Sequence, residues 1–304
     1  MKIKLSDKGM GAVLAVTGIV MFSAKAIMVK LGYRFEVDTL TLLLLRMVFA
    51  LPVYLVIAGR ESKKHNSYQM TRKDMLQLIG LGIVGYYLAS YFDFYGLQFI
   101  SASLERLILF IYPTLVIIIS AVALKKVATN IQIYAIAITY LGIFVAFADD
   151  LQLSGDGMWI GVAAIFMSAL TYAMYLVGSG AMIPKLGPVR FTAYAMTVSS
   201  IMVILHYLVA NTVEVLHQPW QVYALGFAMA IISTVIPSFL ISEAIKRLGA
   251  SNFAIYGSIG PISTIILAII FLGERIDLYQ IIGTAIVIFG VSVINLKKPK
   301  TAPV

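Results

Sequence analysis

The chain has 304 residues, 61% of them hydrophobic and 12% charged, with a mean hydropathy of +0.94. These values exclude an ordinary soluble globular domain. The formal net charge of +9 raises the question of nucleic acid, and the absence of cysteine removes disulfides and thiol metal sites.

In chain order, ten apolar stretches read as membrane-spanning helices: Met10–Leu31, Thr39–Ala58, Leu76–Leu97, Ala102–Leu124, Ile131–Ala148, Gly157–Gly178, Phe191–Val209, Tyr223–Ser242, Ala250–Leu272 and Tyr279–Leu296. Each is close to the ~20 residues that cross about 30 Å of hydrocarbon. The first is too long for a signal-peptide core and carries no clear small-residue cleavage site, so it reads as a mature helix. The longest polar join, Gly59–Met75, is too short to fold alone.

The two halves repeat. "ASLERLILFIYPTLVIIISAVAL" opens at Ala102 and "ASNFAIYGSIGPISTIILAIIFL" opens at Ala250, an offset of 148 residues. Under that offset Ser103 meets Ser251, Pro113 meets Pro261, Leu124 meets Leu272, Gln132 meets Gln280 and Gly142 meets Gly290. The chain therefore divides into residues 1–150 and 151–304, each a five-helix repeat. An odd number of helices per repeat implies inverted topology, with a binding site near the midplane where the repeats meet.

Charge placement gives an orientation. With the N-terminus in the cytoplasm, that side receives Lys2, Lys4, Lys8, Arg60, Lys63, Lys64, Arg72, Lys73, Lys125, Lys126, Lys185, Arg190, Lys246, Arg247, Lys297, Lys298 and Lys300. The other side receives only Lys30, Arg34 and Arg275, beside acids such as Glu36, Asp38, Asp149, Asp150, Glu214 and Glu274. This positive-inside pattern supports ten helices with both termini cytoplasmic. The basic excess is a topology signal, so no nucleic-acid partner is expected.

Lys25, Arg46, Asp93, Glu105 and Arg106 fall inside the predicted spans. Charges in hydrocarbon cost at least ~2.5–3.5 kcal/mol on insertion scales, so they face a bundle interior or water, and pair. Lys25 reads either as snorkelling to the outer interface or as a cavity cation. Arg46 reads as a solute contact or as the partner of a nearby carboxylate. Asp93 points to a bridge with Lys25 or Arg106. Glu105 and Arg106 open their helix and are either interfacial or part of the site. All five lie in the first repeat; at their offset partners stand Ala173, Tyr194, Ile241, Phe253 and Ala254. Such a symmetric scaffold with asymmetric chemistry fits one asymmetric solute.

Polar stripes at helical spacing add to this: Tyr86, Ser90 and Asp93; Ser168, Tyr172, Tyr175 and Ser179; Thr234 and Ser238; Asn252, Tyr256 and Ser263. The candidate solute site is therefore Lys25, Arg46, Tyr86, Ser90, Asp93, Arg106, Tyr172, Tyr175, Ser238, Asn252 and Tyr256. Asp93 and Glu105 are candidates for proton coupling. Pro113 and Pro261, each about halfway along its helix, are candidate hinges or packing bends. His65, His206 and His217 are scattered with no metal-ligand spacing, and no catalytic constellation is evident. Neither cofactor, metal nor enzymatic activity is expected.

"LLLLRMVFALPVYL", "SASLERLILFIYPTLVIIISAVAL" and "ASNFAIYGSIGPISTIILAIIFLGERIDLYQIIGTAIVIFGVSVI" resemble EamA-type members of the drug/metabolite transporter superfamily. The second repeat matches better, including "LGERI" at Leu272–Ile276, where the first repeat reads "LKKVAT". The resemblance implies a secondary transporter in a bacterial cytoplasmic membrane, often an exporter of amino acids or other small metabolites. The related small multidrug pumps carry a membrane-embedded Glu in their first helix; this chain has Lys25 there and no acid. That favours a zwitterionic or anionic solute over a lipophilic cation. A passive channel or facilitator for small polar solutes, or a multidrug efflux carrier, is the alternative. Partners expected are a small-molecule solute and the bilayer, with monomer and homodimer both open.

Overall fold

The computed structural model describes residues 7–63, 68–123, 130–146, 157–210, 214–249, 253, 256–257 and 259–295, and among them all regular structure is helical. In chain order the segments are α1 (Asp7–Tyr33), α2 (Thr39–Ser62), α3 (Arg72–Gly96), α4 (Ala102–Leu109 and Tyr112–Ala123), α5 (Asn130–Ala146), α6 (Met158–Leu186), α7 (Pro188–Ala210), α8 (Trp220–Leu248), α9 (Ile259–Leu272) and α10 (Leu278–Asn295). Among the described residues, seven helices are long and apolar enough to cross a bilayer, and Ile136–Ala146, Ile259–Leu272 and Leu278–Gly290 are shorter apolar helices.

The exterior is what a hydrocarbon solvent selects. Val56, Leu208, Val209, Ile270, Phe271 and Phe289 are exposed, whereas Lys25, Arg46, Asp93, Glu105 and Arg106 are buried. Charge inside and large apolar side chains outside reverse the usual arrangement of a water-soluble fold.

Several helices extend beyond the stretches that hydropathy marks, because capping sets their ends. α3 begins at Arg72, where Thr71 accepts from Asp74 N and Asp74 reaches back to Thr71 N, a reciprocal capping box. α6 runs to Leu186 and α8 to Leu248. Each stops at a glycine with positive φ, Gly187 (φ 76) and Gly249 (φ 78), which an L side chain rarely adopts.

Packing follows an exchange of the two halves. α1 lies against α8 and α9, and α6 lies against α3 and α4. α2 packs on both α7 and α8, α7 on both α2 and α3, and α5 pairs with α10. Both α3 and α8 contain a π-helical turn, Ile83–Leu88 and Ile231–Val235. Ile83 and Ile231 are separated by the same 148 residues as the sequence repeat. The α5–α10 crossing is tight. A methyl group at Gly142 would come within 2.7 Å of Val287 N, and one at Gly283 within 2.5 Å of Ala146 N. Close backbone approach through small residues is how membrane helices gain contact without a hydrophobic drive between them.

One end of the bundle is tied by a polar network. Asp74 accepts from Thr71 Oγ1 (2.7 Å), Tyr68 OH (2.9 Å) and Lys185 Nζ (2.8 Å). Arg190 Nη1 donates to the Tyr68 carbonyl at 2.7 Å. The α2–α3 connection is thereby fastened to the α6–α7 junction. At offset 148 the Asp74–Lys185 pair corresponds to Val222 and Val37, so the tie has no charged counterpart in the other half.

Substituting Gly283 by Leu should overpack the α5–α10 crossing and destabilise the protein by about 1–3 kcal/mol. A thermal melt in detergent should show a lower midpoint for this variant. Gly180→Leu is the control, since nothing lies within 4 Å of a Cβ there, and its midpoint should be close to the parent's.

Candidate functional site

The five intramembrane charges meet inside the bundle. α1 carries Lys25 inward, where its Nζ lies 2.5 Å from Asp93 Oδ2 on α3 and 3.5 Å from Glu105 Oε1 on α4. Of the bridges open to Asp93 in the sequence, the one to Lys25 forms. Glu105 is fully buried beneath it, not at a lipid interface, and Lys25 is buried, not snorkelling. One ammonium thus serves two carboxylates.

Arg46 on α2 is 1% exposed and spans between the two π-turned helices. Its Nε donates to Thr234 Oγ1 of α8 at 2.6 Å, and its Nη1 to Ser90 Oγ of α3 at 3.3 Å. Its guanidinium also sits over the Phe94 ring, 5.3 Å from the centroid. Two helical turns further along α2, Tyr54 shares a 2.9 Å hydrogen bond with Ser238, one turn beyond Thr234 on α8.

Arg106 on α4 donates from Nη2 to Ser23 Oγ of α1 at 3.0 Å and lies over Phe22, 5.6 Å away. Gly260 makes this placement possible: a Cβ there would be 2.7 Å from Arg106 Nη2. The start of α4 is held from the far half of the chain. Glu274 accepts from Ala102 N (2.8 Å), Ser103 N (3.1 Å) and Ser103 Oγ (2.6 Å), while Ser101 caps Leu104 N. A carboxylate on the orphan N–H groups of a helix start is favourable in both hydrogen bonding and dipole terms. The glutamate of "LGERI" is therefore the clasp that positions Glu105 and Arg106.

These groups surround a cavity of about 50 Å³. That is room for a few waters and too little for a metabolite. It is lined by Lys25, Arg46, Asp93 and Arg106, by Ser90 and Ser168, and by a wall of Phe22, Tyr86, Phe110, Tyr112, Tyr172 and Phe253. The tyrosines interlock: Tyr86 meets Tyr175 edge-on at 4.9 Å, Tyr112 meets Tyr172 at 5.3 Å, and Tyr172 stacks with Tyr175 at 6.2 Å. A wider polar vestibule of about 710 Å³ lies further along α1, lined by Lys30, Tyr33, Arg34, Glu36, Asp38, Gln98 and Glu274. Lys25 and Lys30 are five residues apart on one helix, so cavity and vestibule are separated by about 7.5 Å along its axis.

Of the residues singled out in the sequence, Lys25, Arg46, Tyr86, Ser90, Asp93, Arg106 and Tyr172 line the cavity. Tyr175 stands behind Tyr86 and Tyr172 as a supporting ring. Ser238 is engaged by Tyr54 away from the lining, and Tyr256 packs on the apolar core. Asn252 lies outside the described residues. Pro113 follows directly on a break in α4 at Phe110–Ile111, both sides of which border the cavity, and Pro261 lies near the start of α9. Phe22, Phe110, Tyr112 and Phe253 line the cavity without having been marked, because an aromatic residue in an apolar run carries no distinguishing signal.

An exposed apolar shell around a buried, charged interior, with seven helices long and apolar enough to cross a bilayer among the described residues, marks a polytopic membrane protein. The model of the EamA-like transporter family matches residues 9–148 and again 159–296, so the chain belongs to that family and is a membrane transporter. It is 30% identical over 309 aligned positions to the uncharacterized transporter YcbK of Bacillus subtilis, covering 98% of this chain and 96% of that protein. It is 24% identical to the S-adenosylmethionine/S-adenosylhomocysteine transporter of Chlamydia trachomatis, over 75% of this chain and 72% of the relative. A crystal structure with 14% identity superposes with a TM-score of 0.67 over 94% of this chain and 98% of the other, which places the fold.

Removing Lys25 should leave two buried carboxylates without their cation. Breaking a buried ion pair from one side costs about 3–5 kcal/mol. Lys25→Met should therefore lower the thermal midpoint sharply. Adding Asp93→Asn and Glu105→Gln to that variant should recover much of the loss, and a triple variant no more stable than Lys25→Met alone would contradict the triad's charge logic.

Proposed function

We propose that this protein is a secondary transporter that exports small metabolites, amino acids or related zwitterionic or anionic solutes, across a bacterial cytoplasmic membrane by alternating access. Its ten apolar segments form two inverted five-helix repeats with both termini cytoplasmic. The exchange-related helix packing, the π turns 148 residues apart and the sorting of basic residues all support this organisation. In that orientation the vestibule opens outside and the Asp74–Lys185 network closes the cytoplasmic end.

The observation that carries the reading is a small buried cavity lined from both halves of the chain. It lies between α1, α2, α3 and α4 of one half and α6, α8 and the α9 region of the other, and all of its charges come from the first half. A chamber bordered by residues of both halves is what exchange of the halves would open to each side in turn. The break before Pro113 and the start of α9 around Pro261 serve as hinges, because proline leaves the backbone without a donor where the helix must bend. Lys25, Arg46, Tyr86, Ser90, Asp93, Arg106 and Tyr172 contact the solute, and Asp93 with Glu105 carries any coupled proton.

Proteoliposomes holding the purified chain should show saturable counterflow, with trans-loaded unlabelled solute accelerating uptake of the labelled one. The panel should include amino acids, organic anions, S-adenosylmethionine and S-adenosylhomocysteine, the last two because a relative is named for them. Arg46→Ala should weaken apparent affinity about tenfold or more, the worth of a hydrogen bond to a charged group. Flux that neither saturates nor exchanges would instead identify a passive channel.

A further inference from the structure

We infer that the cavity is built for an organic anion with one net negative charge, whose anionic group docks between the guanidinium groups of Arg46 and Arg106. The inference rests on the carrier reading and decides between the two solute classes that reading leaves open.

The charges inside the cavity are unevenly spent. The Lys25 ammonium lies against both carboxylates, Asp93 at 2.5 Å and Glu105 at 3.5 Å, so a solute ammonium that reached a remaining oxygen of either acid would sit beside a covalently tethered cation. Displacing Lys25 instead would leave it unpaired in a small buried space, where an unpaired charge is costly. The guanidinium groups are placed differently. Among the described residues, the hydrogen-bond partners of Arg46 are the hydroxyls of Thr234 and Ser90, and that of Arg106 is the hydroxyl of Ser23. Each guanidinium has five N–H donors, so both keep donors to offer, and both line the cavity.

Counting formal charges then separates the solute classes. With both carboxyl groups ionised, the three cations Lys25, Arg46 and Arg106 face two anions, Asp93 and Glu105, which leaves one positive charge over, and a proton held by the carboxyl pair enlarges that surplus. Closure over a monoanion makes the chamber neutral in the first case and reduces the surplus in the second. Closure over a zwitterion keeps the surplus, and closure over a cation adds to it. Among the described residues, the second half lines the cavity with Ser168, Tyr172, Ile241, Phe253 and Gly257, none of them charged. What remains of the wall is aromatic, from Phe22, Tyr86, Tyr112 and Tyr172 among others, which suits a flat or apolar body. The chemistry named is thus a carboxylate or sulfonate on an apolar or aromatic skeleton. S-adenosylmethionine, with a sulfonium added to a zwitterion, is disfavoured on the same grounds.

The test holds the skeleton constant and varies the charge. The purified full-length chain is melted with 3-phenylpropionate, phenylalanine or phenethylamine, and with hexanoate, norleucine or hexylamine, since a ligand stabilises the state it binds. In at least one set the carboxylate should raise the midpoint with an apparent affinity about tenfold or more above its zwitterion, and the amine should give no shift. Arg106→Gln makes the formal charges balance and should move the preference toward the zwitterion, while Arg106→Lys should keep the anion preference. If Arg106→Gln does not fold, Arg46→Gln reads the same change. Stabilisation by the zwitterions or amines equal to that by the carboxylates overturns the inference, as does no shift with either carboxylate. Counterflow of the same probes keeps the two ideas apart. Exchange of zwitterions alone leaves the carrier and removes the anion preference, whereas anion-selective binding without exchange leaves the anion site and contradicts the carrier.

Discussion

The structure depends on holding ionised groups where the surroundings are hydrocarbon. Lys25 between Asp93 and Glu105 satisfies that constraint with three side chains from α1, α3 and α4, all within the first half. It fixes the face that each of these helices turns inward, and it leaves Arg46 and Arg106 as the charges with capacity to spare. The supporting parts follow from the same need. Glu274 fastens the start of α4 so that Glu105 and Arg106 are presented together. Ser23, Ser90 and Thr234 supply hydroxyls to guanidinium groups that water would otherwise solvate.

Symmetry and asymmetry divide the labour. Helix pairing and the two π turns obey the exchange of halves. π turns displace the backbone register and are often found at functional sites; here Arg46 touches one of them at Thr234 and a residue just beyond the other at Ser90. The exceptions to the exchange are chemical. Lys25, Arg46, Asp93, Glu105 and Arg106 all belong to one half, and the Asp74–Lys185 tie has only Val222 and Val37 as its counterpart.

Much of this was legible in the sequence because charge in an apolar run is conspicuous. Lys25, Arg46, Asp93 and Arg106 all reach the cavity, and the pairing of Asp93 with Lys25 was open to inference from spacing and cost. The repeat offset also foretold which positions would lack partners. Other features left no mark. Phe22, Phe253 and Tyr54 sit among residues of equal hydropathy, so nothing local separates a cavity wall from a lipid contact. The π turns carry little local signal beyond Gly85 inside the first and Pro237 just after the second. The role of Glu274 spans about 170 residues of chain and was visible only as part of a motif. Ser238 and Tyr256 lie off the cavity lining; helical spacing gives a face, but not which neighbour occupies it.

In the proposed carrier, one chamber serves both sides of the membrane in turn. Because the chain contains no cysteine, a single Ser168→Cys substitution places one reporter in the chamber wall. Labelling with a membrane-impermeant maleimide, in right-side-out and inside-out vesicles, tests the claim most directly. The account expects slow labelling from each side, with saturating transported solute on one side altering the rate from the other. Access from one side alone under every condition, or equal rates from both sides that no solute changes, would contradict it.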